Sequence, residues 1–523
     1  MRKNFIRKVV TAVLAVAVVL PLTACGSDND SSSSASSTSS ALSSSAVSSA
    51  TPVDNELVFG MQTQPNHLDP YLSGSADTRS ILFNIFEGLV KPDKDGNLIP
   101  AVADNYDISE DASSYTFHIR EGITFHNGNK VTAEDVKYSL ETASGLSGGQ
   151  VLVSQLTNIE SVEVQDESTV VVHLKTPDYE FLPYLTCAIV PKDYTEQDSH
   201  PIGTGPFEFE SYTPQQSIVL TKNPNYWQED VPKLDRVTFK LESDSNALLL
   251  DLQGGSVDGA SIANNIASQI GSGFQLIESN SNSVQLLALN NSQKPFDDVK
   301  VRQAIAYAVN PDEIIDAVNF GKAVRCGTPV IPGLKKYFDD SLTHAYDQDI
   351  EKAKQLLSEA GYPDGFSMTI TVPSNYTVHV DTAQVIISEL DKVGIHATID
   401  QVDFANWLDT VYTNHQYEST IISVDGATLS PRSYLSRYLS DAHNNFINYK
   451  SEAFDATYEQ AENEPDEEKR IALYKKAQQI LSDDAASVYI QDIANLNVLR
   501  DDFSGFTPYP LYVFDASTIS RTK

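Results

Sequence analysis

DTAQVIISELDKVG (381–394), running directly into IHATIDQV (395–402), decides the fold class. The first part reads as a helix closed by Gly394, because glycine adopts the left-handed conformation of a helix end without a steric penalty. The second part reads as a strand. Similar units surround it. IEKAKQLLSEAG (350–361) reads as a helix closed by Gly361. VRQAIAYAV (301–309) has apolar residues at 301, 304, 305, 308 and 309, the spacing of one helix face. Pro465 opens a further helix near 465–482, since the first turn does not need the N–H that proline lacks. Helix–strand alternation over 300–490 predicts α/β layers.

The amino-terminal half is richer in strand signals. ELVFGMQ (56–62), STVVVHLK (168–175) and SIVLTK (217–222) read as strands. SYTFHIREGITF (114–125) alternates Tyr115, Phe117 and Ile119 before a turn at Gly122. VTAEDVKYSLETA (131–143) reads as a helix entered through Thr132 and Asp135, a variant of the capping box. No second linker or obvious repeat interrupts residues 54–523.

The chain of 523 residues carries 36 Lys and Arg against 71 Asp and Glu, a formal charge of -35. Such a surface argues against binding a nucleic-acid backbone. It suits a monomer. Arg2, Lys3, Arg7 and Lys8 precede the apolar run VVTAVLAVAVVL (9–20) and Pro21. That run is too short to span a bilayer comfortably and reads as a signal segment. The following L-T-A-C, Leu22 to Cys25, resembles the lipobox of bacterial lipoproteins, which implies lipidation of Cys25 and anchorage in the bilayer. Residues 26–53 are Ser-rich without an aromatic residue, the composition of a flexible tether reaching roughly 25–30 Å. The body is therefore expected outside the cytoplasmic membrane. The long tether suggests a Gram-positive surface. Cys187 and Cys326 remain, either as a disulfide or as two buried thiols.

Motifs for covalent chemistry are missing. GTGPF (203–207) lacks the Lys-Ser/Thr of a phosphate loop and reads as a tight turn entering a strand. No HExxH, CxxC or G-x-S-x-G spacing occurs. His118 and His173 fall in strand patterns, whereas His126, His415 and His443 lie in or near loops and are open as ligands. No enzyme activity, cofactor or metal is expected. The 24 Tyr against 2 Trp suit sheet packing, and also amphipathic pockets.

Four segments, in order, resemble the extracytoplasmic solute-binding proteins of family 5, which serve peptide/nickel-type ABC importers. LVFGMQTQPNHLDPYLS (57–73) is similar to the family's first strand and L-D-P turn. The densest match is EGLVKPDKDGNLIPAVADNYDISEDASSYTFHIREGITFHNGNKVTAEDVKYSL (87–140). GTGPFEFESYTPQQSIVLTKNPNYW (203–227) and LALNNSQKPFDDVKVRQAIAYAVN (287–310) complete the series. The resemblance implies an α/β fold of two lobes joined by a hinge, the Venus-flytrap fold, with an extra subdomain inserted in lobe I. Lobe I is expected at 54–86, 187–285 and 494–523, the insert at 87–186 and lobe II at 286–493. Hinge strands are expected near 284–290 and 488–500. The implied function is capture of a peptide or similar small polar ligand between the lobes and delivery to membrane permease subunits. Nickel complexes, opines and sugars are alternatives within the family. A secreted hydrolase or an adhesin is the alternative outside it.

Known peptide binders of the family place an aromatic–x–x–Asp motif before a Pro in lobe II. In IISVDGATLSPRSYL (421–435) those positions fall on Val424 and Ala427, with Asp425 two residues before the latter. Asp425 is either a substitute anchor for an amino group or the turn residue of an Asp-Gly pair with Gly426. Tyr71, after the L-D-P turn, is a candidate cleft residue, as are Ser261, Asn264 and Asn290. Trp407 is weighed between core and ligand platform. Arg325 and Arg432 could receive a carboxylate in two-point fashion.

Overall fold

The computed structural model describes residues 55–522 except 63, 74, 427 and 512. The signal segment, Cys25, the tether and Ala427 lie outside the described residues.

One strand organises the molecule. Ser487–Arg500 runs for 14 residues and belongs to two half-sheets. Its first half pairs with Ser283–Leu289 on one side and Ala323–Arg325 on the other. From Ser283–Leu289 the half-sheet continues through Ser419–Asp425, Phe366–Pro373 and Ile395–Val402. Its second half pairs with Gly259–Ile262 and with Phe274–Asn280. From Gly259–Ile262 that half-sheet continues through Glu56–Met61, Arg236–Leu241, Ser217–Lys222 and Phe207–Thr213. These half-sheets are the frameworks of lobe II and lobe I.

Helices cover the lobe II sheet as the sequence pattern requires. Val299–Ala308, Ile350–Glu359 and Thr377–Asp391 bury Ile305, Leu357 and Ile386 against Leu287, Ile370 and Ile421. The opposite face, with Leu286, Ile422 and Val424, is covered by Glu452–Glu462 and Glu467–Asp483. Burial on both faces explains why LLAL (286–289) is apolar without alternation. The capping-box variant forms as the spacing predicts: Thr132 caps Ala133–Ser144, and Asp135 returns a bond to the Thr132 N–H. That helix packs on a separate sheet of Ala103–Ile108, Ser114–Ile119, Thr169–Leu174 and Ile159–Val164, with its own core around Phe117, Val136 and Val172.

The chain passes between the lobes at two adjacent places. Phe274–Asn280 pairs with the second half of Ser487–Arg500 and Ser283–Leu289 with the first, so residues 281–282 carry the chain from one half-sheet to the other. Asn282 makes the turn with φ +63, a left-handed conformation that asparagine tolerates. The second passage is the middle of Ser487–Arg500 itself. Asp492 ties the two together: its Oδ1 accepts from Ser281 N at 2.9 Å and from Ser281 Oγ at 2.8 Å. The first passage therefore lies just ahead of the strand expected at 284–290, where a polar turn can satisfy its own backbone.

Candidate functional site

The motif segments of the amino-terminal half converge on one buried carboxylate. Glu87 accepts from Lys91 Nζ at 3.0 Å, Tyr226 Oη at 2.8 Å, Trp227 Nε1 at 3.0 Å and Thr204 Oγ1 at 3.2 Å. The Arg120 guanidinium lies over the Trp227 ring at 3.9 Å. GTGPF supplies backbone contact at this junction. A Cβ on Gly203 would stand 2.1 Å from the Ile85 carbonyl oxygen, so only glycine fits. His126 closes the junction, with Nε2 3.0 Å from the Gly205 carbonyl oxygen. Burial pushes its pKa down to about 4. These groups build a wall and are spent on one another.

That wall borders a cavity of about 530 Å³ between the lobes, inside the roughly 300–1,000 Å³ range of small-ligand sites. Lobe I contributes an apolar side that includes Leu82, Phe83, Phe86, Val90, Leu511 and Val513. Arg79 and Lys91 also reach it. Lobe II contributes Ser423, Asp425, Gly426 and Thr428, and the crossing segment Ser281–Asn282–Ser283 lies between. Asp425 ends its strand opposite Ser283 and is exposed to the cavity. Gly426 is needed for packing: a Cβ would stand 2.4 Å from the Tyr434 ring.

Of the sequence candidates, the structure brings Tyr71, Asp425 and Gly426 together here. The Tyr71 hydroxyl donates to the Ala188 carbonyl at 2.7 Å, and burial pushes its pKa well up. Ser261 lines a smaller neighbouring cavity. Asn264, half-buried, lines neither. Asn290 is fully buried and donates to the His415 and Tyr417 carbonyls at 3.1 and 2.9 Å, so its amide holds a loop. Trp407 is core: its ring stacks on Phe404 at 5.8 Å and its Nε1 donates to Thr420 Oγ1 at 2.9 Å. Arg325 pairs with Asp312 at 3.0 Å and Asp347 at 2.7 Å, away from the cavity. Cys187 and Cys326 are free thiols. Cys187 borders the large cavity, and burial pushes its pKa up to about 12.

Arg432 has a different use from the one its sequence position suggests. Its Nη1 meets both Asp178 oxygens at 2.7 Å, and its Nη2 meets Glu462 at 2.8 Å. Burial works against the charge, but Tyr184, Asp178, Tyr458 and Glu462 around it hold the guanidinium protonated. Next to it Glu180 is buried, accepting from Tyr337 Oη at 3.2 Å and from Tyr474 Oη, with Arg470 Nε at 3.9 Å. Burial raises the Glu180 pKa despite these partners. Asp178 and Glu180 adjoin Phe181 of the inserted core, whereas their partners belong to lobe II. An ionic seam thus joins the lobes outside the ligand cavity.

Sequence reading missed Phe83, Phe86, Leu511 and Val513, which line the cavity but carry no polar signal. Among the described residues no group of three or more His, Cys, Asp or Glu is placed to hold a metal ion. None of their helices is long and apolar enough to cross a membrane.

Comparison with known proteins agrees with this architecture. The family model "Bacterial extracellular solute-binding proteins, family 5 Middle" matches residues 97–446. The glutathione-binding protein GsiB of Salmonella typhi is 30% identical over 441 residues, covering 79% of this chain and 84% of that protein. The ABC transporter substrate-binding protein CtaP of Listeria monocytogenes superposes with a TM-score of 0.81 at 26% identity, over 90% of this chain and 99% of that one. The periplasmic binding protein DppA of Helicobacter pylori, solved with the peptide STSA, gives 0.74 at 28% identity, over 90% and 98%. The family comprises solute-binding proteins rather than enzymes. With a match of this extent and a two-lobed fold around a shared cavity, the chain belongs to the bacterial extracellular solute-binding proteins of family 5, the substrate-binding components of ABC importers.

Proposed function

We propose that this chain captures a short peptide, or a peptide-like ligand with a free amino group, between its lobes and delivers it to permease subunits without any catalytic step. One observation carries the reading: the interlobe cavity sets a single exposed carboxylate, Asp425, opposite a largely apolar wall. An ammonium group at Asp425 gains a charge-assisted hydrogen bond, while the wall takes apolar side chains. The DppA complex with a peptide supports the ligand class. The nickel-complex alternative looked to His415 or His443 near the cleft, and neither lines the cavity.

The chain is further proposed to work as a monomer, lipid-anchored through Cys25 at the outer face of a Gram-positive membrane. The basic start, the apolar run 9–20 and L-T-A-C support the anchor, and residues 26–53 serve as tether. The proposed lobes are 54–86 with 187–285 and 494–523, and 286–493, with 87–186 inserted. The two passages near 281–282 and 492–494 support that division.

Thermal unfolding against di- to octapeptides tests the ligand class. A peptide at 100 times its dissociation constant should stabilise the protein by about 2.7 kcal/mol. Asp425→Asn should weaken binding of that peptide by roughly 10- to 100-fold, the loss of one charged hydrogen bond. The same peptide acetylated at its amino group should bind wild type and variant alike. Equal affinity of both proteins for the free peptide would remove Asp425 from the site.

A further inference from the structure

Beside the interlobe cavity lies a second hollow of about 80 Å³, enough for several water-sized groups. Leu511 and Val513 line both cavities, so the two share a wall. Phe83 on the large side and Tyr509 on the small side meet edge to face at 5.7 Å. The hollow sits at the carboxyl ends of Glu56–Met61 and Gly259–Ile262, the side of an α/β sheet where ligands bind.

Its two faces differ in chemistry. The floor is a polar ladder. Strand register sets Ser261 opposite Asn497 and Ser279 opposite Asn495. The period of two turns Asn495 and Asn497 to the same face. The roof is the carboxy-terminal segment, with Phe506, Tyr509 and Phe514. None of the described lining residues is a Lys, Arg, His, Asp or Glu.

The floor holds hydrogen-bonding capacity that the chain does not use. Asn497 is 8% exposed. Its Oδ1 accepts from Ser261 Oγ at 2.7 Å, while its Nδ2 donates to no described group. The side chains of Ser279, Asn280 and Asn495 likewise make no hydrogen bond to described residues. Ser279, Asn280 and Asn495 are half-buried and line the hollow, so a polar group that enters it meets donors and acceptors not already engaged by the chain.

We propose that this hollow is a side subsite of the ligand cleft, taking an uncharged hydrogen-bonding group, a carboxamide or hydroxyl, from the ligand held next door. The proposal rests on the peptide reading of that cleft. A carboxylate or ammonium entering the hollow would leave its hydration and meet no counter-charge. An aliphatic group would leave the Asn497 and Asn495 amides unmet.

The test uses the full-length chain and calorimetric titration with alanine tripeptides. Each position is replaced in turn by Asn, Asp or Leu. At one position Asn should bind at least roughly tenfold tighter than both Asp and Leu, the size of one buried polar match. Asn495→Ala, a half-buried site, should shrink that preference and leave binding of trialanine unchanged. If the peptides bind but no position prefers Asn, the hollow holds solvent only and the subsite is overturned while the cleft reading stands. If none of the peptides binds, the peptide reading fails and the subsite falls with it.

Discussion

Arg432→Met should drive the lobes apart and weaken capture of any ligand that needs both of them. The reason is asymmetric desolvation. With the lobes joined, Asp178 and Glu180 lie in a seam where their side chains are 9% and 6% exposed. Arg432 bonds to both Asp178 oxygens while also holding Glu462. Methionine fills similar space but leaves Asp178 and Glu462 without the guanidinium they share. Breaking a buried pair by removing one partner costs about 3–5 kcal/mol. Separated lobes return Asp178 to water, so the penalty falls on the joined state alone. A shift of that size changes the open–closed ratio by roughly 150- to 5,000-fold. Small-angle scattering should report a larger radius of gyration for the variant at pH 7. Apparent peptide affinity should fall in proportion to the closed fraction lost. Asp178→Asn together with Glu462→Gln, added to the Arg432→Met variant, should recover part of the compact form, because the stranded charges are gone. An unchanged radius and an unchanged affinity would sink the seam as a determinant of closure.

The seam also shows where sequence reading stops. Arg432 was legible as a guanidinium that either receives a carboxylate or sits solvated at the surface, since it follows Pro431 in a segment that aligns with a binding loop. Its partners were not. Asp178 lies 254 positions away, and no spacing rule connects them. Local structure was far more legible. Strand 217–222 and strand 395–402 form at the residues their patterns indicate. The helix expected from Pro465 begins at Glu467 behind an Asp466 cap. The helix read from 381 starts earlier, at Thr377, because His379 and Val380 are buried and extend its inner face. Half of the cleft is apolar and so carries no signature. Phe83 and Leu511 look like any core residues until the lobes place them around one cavity. Trp407 illustrates the converse. A tryptophan in an amphipathic stretch suits a ligand platform and a core equally, and only the Phe404 ring and the Thr420 hydroxyl decide for the core.

Asp492→Asn should become more stable relative to the wild type as pH rises. Asp492 is fully buried at the point where both interlobe passages meet. Burial raises its pKa from the ordinary 3.8 to about 7, against the pull of hydrogen bonds from Ser281, Ser283 and Asn282. One oxygen, Oδ2, has no partner among the described residues. Tyr434 and Cys326 also face it, and both are held neutral by burial. The folded chain therefore keeps the proton through a window in which the unfolded chain has lost it. Folding takes up a proton between about pH 4 and pH 7, so this contribution is greatest below that window and is lost as pH rises through it. The full span is on the order of 4 kcal/mol. An amide resembles the protonated acid and does not titrate. Its stability advantage should therefore grow by about 3–4 kcal/mol between pH 4 and pH 8. For a body of this size that is roughly 3–4 °C in Tm. The difference between the two proteins is the quantity to measure. In the wild type alone, Glu389, raised to about 7, adds a slope of the same sign. His126 and His379, held at about 4, add slopes of the opposite sign over an overlapping range. Those terms cancel when variant and wild type are compared at each pH by scanning calorimetry. A pH-independent offset would mean that the Asp492 carboxylate ionises as it does in water, and would take its charge out of the energetics of the crossing.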